Sequence, residues 1–363
     1  MPADLMKDAH TLMKQAVTEG VFPGGVLVVS RAGRIQLCEA YGVTNLSGGV
    51  SVTPETIFDL ASLTKPLATT PAVMLLVQQR RLLLTDPIGP LLTSFASSPK
   101  SVIMIRQLLN HTSGLPDYRE YYWQLAALPL KERSAALKGL LSREELVHPV
   151  GQRTVYSDLG FMILQWIVES IAGRRLDSFV TEEVYHPLGL NDLFFIDLFS
   201  TPETDERKRV FAATEKCPWR KQVLEGVVHD DNAYVVGGVA GHAGLFGTAL
   251  NVHELLVELS SCFSGGNHRG IFQREVVRTF LTPPPDGGRP LGFDRPSGPN
   301  SSSGRYFSGQ TVGHLGFTGT SFWMDLEKEV IVVLLTNRVH PSRTNEGIKA
   351  FRPNLHDTVM KSV

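Results

Sequence analysis

The stretch GGVLVVSRAGRIQLCEAYG, residues 24–42, decides the fold. Two β-rich runs flank Arg31-Ala32-Gly33, and the pair reads as an antiparallel hairpin. Its partners are found at the other end of the chain. RYFSGQTVGHLG (residues 305–316), TSFWMDL (320–326) and EVIVVLLTN (329–337) are three further strand candidates with turns between them. Short turns make antiparallel neighbours, so the economical solution is one five-stranded antiparallel sheet drawn from both chain ends. Two helices are expected to flank it. The first carries Leu5, Met6, His10, Met13 and Val17 at helical spacing. The last spans residues 345–363, with Pro353 predicting a break or kink near its start.

Between the two β-rich ends the chain is helical in pattern. IRQLLNH (105–111), KERSAALKGLLSREEL (131–146) and LGFMILQWIVESIAG (159–173) all carry a period near 3.6. Pro187 and Gly189 close this section. Residues 191–245 are mixed in pattern, and NVHELLVELSSCF (251–263) is another amphipathic helix. LGF (291–293) reads as a short strand between two loops rich in proline, glycine and serine. The expected architecture is α+β. Residues 1–84 and 191–363 form an α/β sandwich, residues 85–190 form an inserted helical region, and a cleft between them would hold a site.

The composition of the 363 residues is globular, with 42% apolar and 20% charged. A formal net charge of −1 removes the electrostatic case for nucleic acid or an acidic membrane surface. No apolar run approaches the roughly 18 residues of a membrane span. The opening residues carry charges throughout and lack a secretory h-region, so the chain reads as cytoplasmic, or periplasmic if a leader was removed. Cys38, Cys217 and Cys262 are far apart and show no CxxC, which fits small buried thiols rather than a disulfide framework or zinc site.

The chemistry starts at DLASLTKPLATTPAVMLL, residues 59–76. Positions i and i+3 share a helix face, so Ser62 and Lys65 come within reach of each other if a helix starts at Ser62. Pro66 lacks an N–H and therefore fits only near the first turn. There the free N–H groups favour negative charge, and the Ser62 N–H could hold an oxyanion. The competing reading is an ordinary serine cap. A second Ser-x-x-Lys, Ser97 to Lys100, has no apolar helix behind it.

Two more stretches change the balance. TVYSDLGFMIL (154–164) places Tyr156 and Asp158 at a loop-to-helix junction, and TVGHLGFTGTSFW (311–323) places His314 and Gly316 on a strand beside a glycine-rich turn. Ser-x-x-Lys, Tyr-x-Asn and Lys-Thr-Gly, in that order, mark the penicillin-recognising serine hydrolases. From about residue 5 to 360 the chain resembles that superfamily, in the branch of class C β-lactamases, D,D-peptidases and related esterases. LLNHTSGLPDY (108–118) and GGVAGHAGLFGTA (237–249) are similar to further elements of the same branch.

The resemblance implies that Ser62 forms an acyl-enzyme, that Lys65 accepts its proton or holds the base, and that Tyr156 relays a proton to the leaving group. It implies an oxyanion hole from the N–H groups of Ser62 and Phe317, with Gly316 allowing close approach. No cofactor or metal is implied, and the partner would be a small ester, amide or β-lactam. Three departures stand out. Asp158 replaces the asparagine, and a carboxylate about 4 Å from Lys65 could favour the ammonium by about 4 kcal/mol, roughly three pK units. Tyr156 then becomes the expected proton acceptor, unless Asp158 points away and caps the following helix. His314 replaces the lysine that serves substrate carboxylates in many relatives, and Leu315 replaces the threonine hydroxyl. All three weaken the pull on acidic substrates, so better turnover of uncharged esters or amides than of β-lactams is expected. A D,D-peptidase, a weak β-lactamase and a non-catalytic penicillin-binding sensor are the alternatives. His229, Asp230, Asp231, Asn232 and His242 lack tight metal-ligand spacing and read as a turn, and His111 reads as structural.

Overall fold

The computed structural model describes residues 6–200, 209–266, 269–285, 287–298 and 301–363. In chain order the elements used below are α1 (Lys7–Thr18), β1 (Gly24–Arg31), β2 (Arg34–Gly42), β3 (Phe58–Asp59), α2 (Thr70–Gln78), α3 (Leu130–Arg143) and α4 (Asp158–Ala172). Then follow β4 (Leu193–Phe195), β5 (Leu245–Gly247), α5 (Ala249–Ser264), β6 (Thr311–Leu315), β7 (Ser321–Asp325), β8 (Val330–Thr336) and α6 (Ile348–Ser362). The main sheet has five antiparallel strands in the order β2-β1-β8-β7-β6, so the two chain ends interlock as the hairpin demanded. Gly25 opposes Thr336 and Arg31 opposes Val330.

Both faces of the central strands are covered. Val26 and Val28 enter one apolar core with Val333 and Leu335, while Leu27 and Val29 enter a second with Val332 and Leu334. Period-two alternation thus feeds two cores, which is why the β8 sequence is apolar throughout. The second core is closed by Ala9 and Met13 of α1 and by Phe351 and Leu355 of α6. The first is closed by α5, α2 and α4, and it continues into the helical region through Leu108, Leu125 and Leu141. A smaller three-stranded sheet, β3-β5-β4, joins the strand before the Ser62 turn to two strands at the ends of the segment of mixed pattern.

Four local expectations are corrected. LGF at residues 291–293 is a turn, not a strand, and only Asp294 makes an isolated bridge, to Gly313. The strand candidate at 305–316 narrows to β6. Helix α6 runs through Pro353, whose lost partner carbonyl belongs to exposed Lys349 and needs no protein donor. On α1 the buried stripe is Met6, Ala9, Met13 and Ala16; His10 instead meets the Tyr41 hydroxyl at 3.1 Å, and Leu5 lies outside the described residues. No helix among the described residues is long and apolar enough to cross a membrane.

Candidate active site

The Ser62 stretch is helical in direction but not a plain α-helix. Residues Ala61–Leu63 form a 3₁₀ turn, Lys65–Thr69 a π turn, and α2 follows. Two prolines explain this. Pro66 and Pro71 have no N–H to give, and a proline ring clashes with the carbonyl four residues back. The widened turn frees the Leu67 carbonyl, which accepts from the buried Tyr185 hydroxyl at 2.9 Å. Ala61 precedes Ser62 with φ +48°, a left-handed conformation. Buried Asp59 holds it there: one carboxylate oxygen accepts from the Ala61 N–H at 2.8 Å, the other from the His229 N–H at 2.6 Å. A β-branched side chain fits this backbone poorly. Ala61→Val is expected to cost about 2 kcal/mol of stability and Ala61→Gly less than about 1, read by urea unfolding.

Ser62 is half-buried and Lys65 fully buried. The Lys65 ammonium donates to Ser62 Oγ at 2.9 Å and to the His242 carbonyl at 3.0 Å, and it pairs with Asp158 Oδ1 at 2.7 Å. Three acceptors take its three donors. Burial pushes the Lys65 pKa down, but Asp158 and then Tyr156 outweigh it, and the net shift is upward. Asp158 does not cap α4. Ser157 does, accepting from the Gly160 N–H at 3.3 Å, which leaves Asp158 in the first turn facing Lys65.

The half-buried Tyr156 ring lies 5.0 Å from the Lys65 nitrogen and 4.5 Å, centroid to centroid, from His111. Arg289, which pairs with Asp294, places its guanidinium carbon 5.5 Å from the same ring. Two cations therefore flank the phenol. His314 stands 5.9 Å behind it, buried, with Nδ1 on the Leu315 carbonyl at 2.9 Å. Burial, then Lys65, holds the His314 pKa well below the ordinary value, and burial does the same for His111, reinforced by Arg289 and Lys65. His111 Nδ1 accepts from the Ser157 N–H at 3.0 Å, the structural role expected of it.

The strand end beside Ser62 is pinned to the turn that carries it. Thr318 and Thr320 donate to the carbonyls of Asp59 and Leu60 at 2.7 and 3.1 Å. A Cβ on Gly316 would stand 2.0 Å from Thr320 Oγ1 and 2.7 Å from the Leu60 carbonyl. Gly316 thus permits close packing of this strand end against the Ser62 turn. Exposed Phe317 forms a cleft wall of a cavity of about 400 Å³ that also holds Ser62, Tyr156 and Asp158. Arg338 caps the Phe317 ring and donates to its carbonyl, at 3.0 Å from Nε.

Sequence reasoning brought Ser62, Lys65, Tyr156, Asp158 and Phe317 to one cleft, with His314 and Gly316 behind it. It missed Asp59, Arg289 and the pairing of His242 Nε2 with Asp230 Oδ1 at 2.9 Å. The GGVAGHAG glycines were the available signal: a Cβ on Gly241 would meet the Phe161 carbonyl at 2.3 Å, so only glycine lets this loop deliver the His242 carbonyl to Lys65. Asp158, Asp230 and His242 do gather with ligand atoms within 4.8 Å of one another. The Lys65 ammonium already serves that cluster, the wrong neighbour for a divalent cation. The second Ser-x-x-Lys is no site, since Lys100 donates to the Glu144 carbonyl.

A fold of this topology with serine, lysine and tyrosine on one cleft defines the class of penicillin-recognising and related serine enzymes. A sequence model of the family described as Beta-lactamase matches residues 9–352, and the chain belongs to that family. It is 33% identical to the N-acetylmuramyl-L-alanine amidase of Bacillus subtilis (strain 168), over 92% of this chain and 81% of that protein. It is 32% identical, over 88% and 79%, to a protein of Escherichia coli (strain K12) provisionally named D-alanyl-D-alanine carboxypeptidase. The solved structure of EstCE1, a hydrolase with promiscuous acyltransferase activity, superposes with TM-score 0.76 over 99% of both chains at 23% identity.

Proposed function

We propose that this protein is a serine hydrolase that forms an acyl-enzyme on Ser62 and turns over small esters or amides, esters preferred. The observation that carries the reading is the Lys65 ammonium 2.9 Å from Ser62 Oγ inside an open cleft. With all three Lys65 donors engaged, it cannot accept the serine proton without giving up a bond. Tyr156, with the Lys65 nitrogen 5.0 Å and the Arg289 guanidinium carbon 5.5 Å from its ring, is the acceptor in this reading. In the first step Ser62 Oγ bonds to the carbonyl carbon and its proton passes to the Tyr156 oxygen. The developing oxyanion is met by the N–H groups of Ser62 and Phe317, for which no protein acceptor competes among the described residues. Tyr156 then returns the proton to the departing alkoxide or amine. Water repeats the cycle on the acyl-enzyme.

The test is intact mass after incubation with activated esters and β-lactams. The parent should gain one acyl group transiently and release product; Ser62→Ala should gain none and lose turnover by at least about 10³-fold. Turnover of a short nitrophenyl ester should exceed that of a chromogenic cephalosporin. Stoichiometric labelling without turnover would support a sensor on this fold. The relatives' names keep a peptidoglycan peptidase or amidase as the second reading, for which a muropeptide substrate belongs in the same panel.

A further inference from the structure

The cleft is fixed as a binding site by its nucleophile; its charge says what enters. On its walls the guanidinium is that of Arg343, and it is committed: it pairs with Glu215 at 2.6 Å and faces Asp231 at 3.5 Å, while the imidazole of His229 meets the same Glu215 at 3.3 Å. Asp231 is in turn held by Arg220 and by the Trp219 indole N–H at 2.9 Å, so this network is internally matched. Asp158 is matched as well, by Lys65 at 2.7 Å, but Asp117, Glu120 and Asp230 pair with no lysine or arginine among the described residues. Asp117 accepts the Tyr118 N–H at 2.8 Å and has no basic side chain on it, and exposed Glu120 has none either, among the described residues. Asp230 accepts His242 Nε2 and the Ala233 N–H on one oxygen, and its other oxygen takes no protein donor among the described residues. Burial would raise the Asp230 pKa, but His242, the Ala233 N–H and Lys65 bring it below the ordinary carboxylate value, so it stands ionised.

The other walls are aromatic. Tyr118, Tyr122 and Phe317 face the same space, and Phe317 is 50% exposed. Burial and then the fields of Asp230 and Asp231 raise the Tyr118 pKa. Carboxylates with open oxygens, set among aromatic faces, are the chemistry that receives an organic cation.

We propose that the preferred substrates carry an ammonium group close to the scissile carbonyl, as esters and amides of unblocked amino acids do. The inference rests on the serine-hydrolase reading and names its substrate class. It also runs against substrates that present a carboxylate at this wall.

The experiment compares kcat/KM for the nitrophenyl esters and nitroanilides of alanine and leucine, both enantiomers, with their N-acetylated counterparts, using nitrophenyl acetate as the neutral reference. The free amines are expected to be favoured at least about tenfold, a difference of about 1.4 kcal/mol. Because Asp117 and Glu120 are at the open mouth, that ratio should shrink as salt rises and fall in the Asp117→Asn/Glu120→Gln double variant. Turnover of nitrophenyl acetate with no free-amine preference for any pair overturns the inference and leaves the hydrolase standing. Absence of both turnover and a Ser62 adduct across the whole set overturns the hydrolase reading, and the inference with it.

Discussion

Replacing Lys65 by methionine should lower kcat/KM for a nitrophenyl ester by about 10³-fold or more and cost about 3 kcal/mol of stability. The two losses have different origins. Activity falls because the ammonium that orients Ser62 Oγ and faces Tyr156 is gone. Stability falls because Asp158, 2.7 Å away, loses its counter-charge while still near Asp230. A second substitution separates them. Lys65→Met/Asp158→Asn should recover much of the stability, since no uncompensated carboxylate is left, and none of the activity. Urea unfolding and ester kinetics on the three proteins check this. If Lys65→Met keeps more than a tenth of the parent activity, the ammonium is not part of the chemistry.

The second large effect is acid lability. His111, His253, His314 and His356 all have pKa values lowered chiefly by burial, His253 and His356 to about 4. Each is held as a neutral ring: His253 Nε2 meets Ser30 Oγ at 2.7 Å, and His356 Nδ1 meets the Ser302 carbonyl at 2.6 Å. In the unfolded chain these rings bind protons near pH 6.5, and in the folded chain they do not. The unfolded state therefore binds more protons below that value, so stability is fully present above it and is lost as pH falls toward the folded values. Four such groups give a slope approaching about 5 kcal/mol per pH unit, comparable with the whole stability of an ordinary domain. Urea midpoints measured from pH 7 to pH 5 should fall steeply, with uptake of about four protons on unfolding. A flat midpoint over that range would sink the claim.

Much of the scaffold was legible along the chain because the signals are local. The hairpin at residues 24–42 announces itself by two β-rich runs around a turn, and the β-branched run at 330–333 marks a strand candidate, which the structure shows covered on both faces. Ser62 and Lys65 are three residues apart, so helical geometry brings them together. LGF was misread because three apolar-leaning residues cannot distinguish strand from turn. The Gly292 φ of +83° and its N–H bond to Leu109 are set by a distant partner. The capping of α4 was ambiguous for a similar reason: Ser157 and Asp158 both suit an N-terminus, and only the position of Lys65 decides which one turns inward.

What the sequence by itself determined, then, is the period of each element, the proximity of Ser62 to Lys65 and the residue types available to the cleft, since these depend on neighbours within a few positions. What only the tertiary structure decided is their electrostatic state. The charge on Lys65 depends on a carboxylate 93 positions away and on a carbonyl at His242, and the free oxygen of Asp230 depends on how that loop packs. Coulomb energy falls with spatial distance and with water, not with separation along the chain. Folding is the step that sets both.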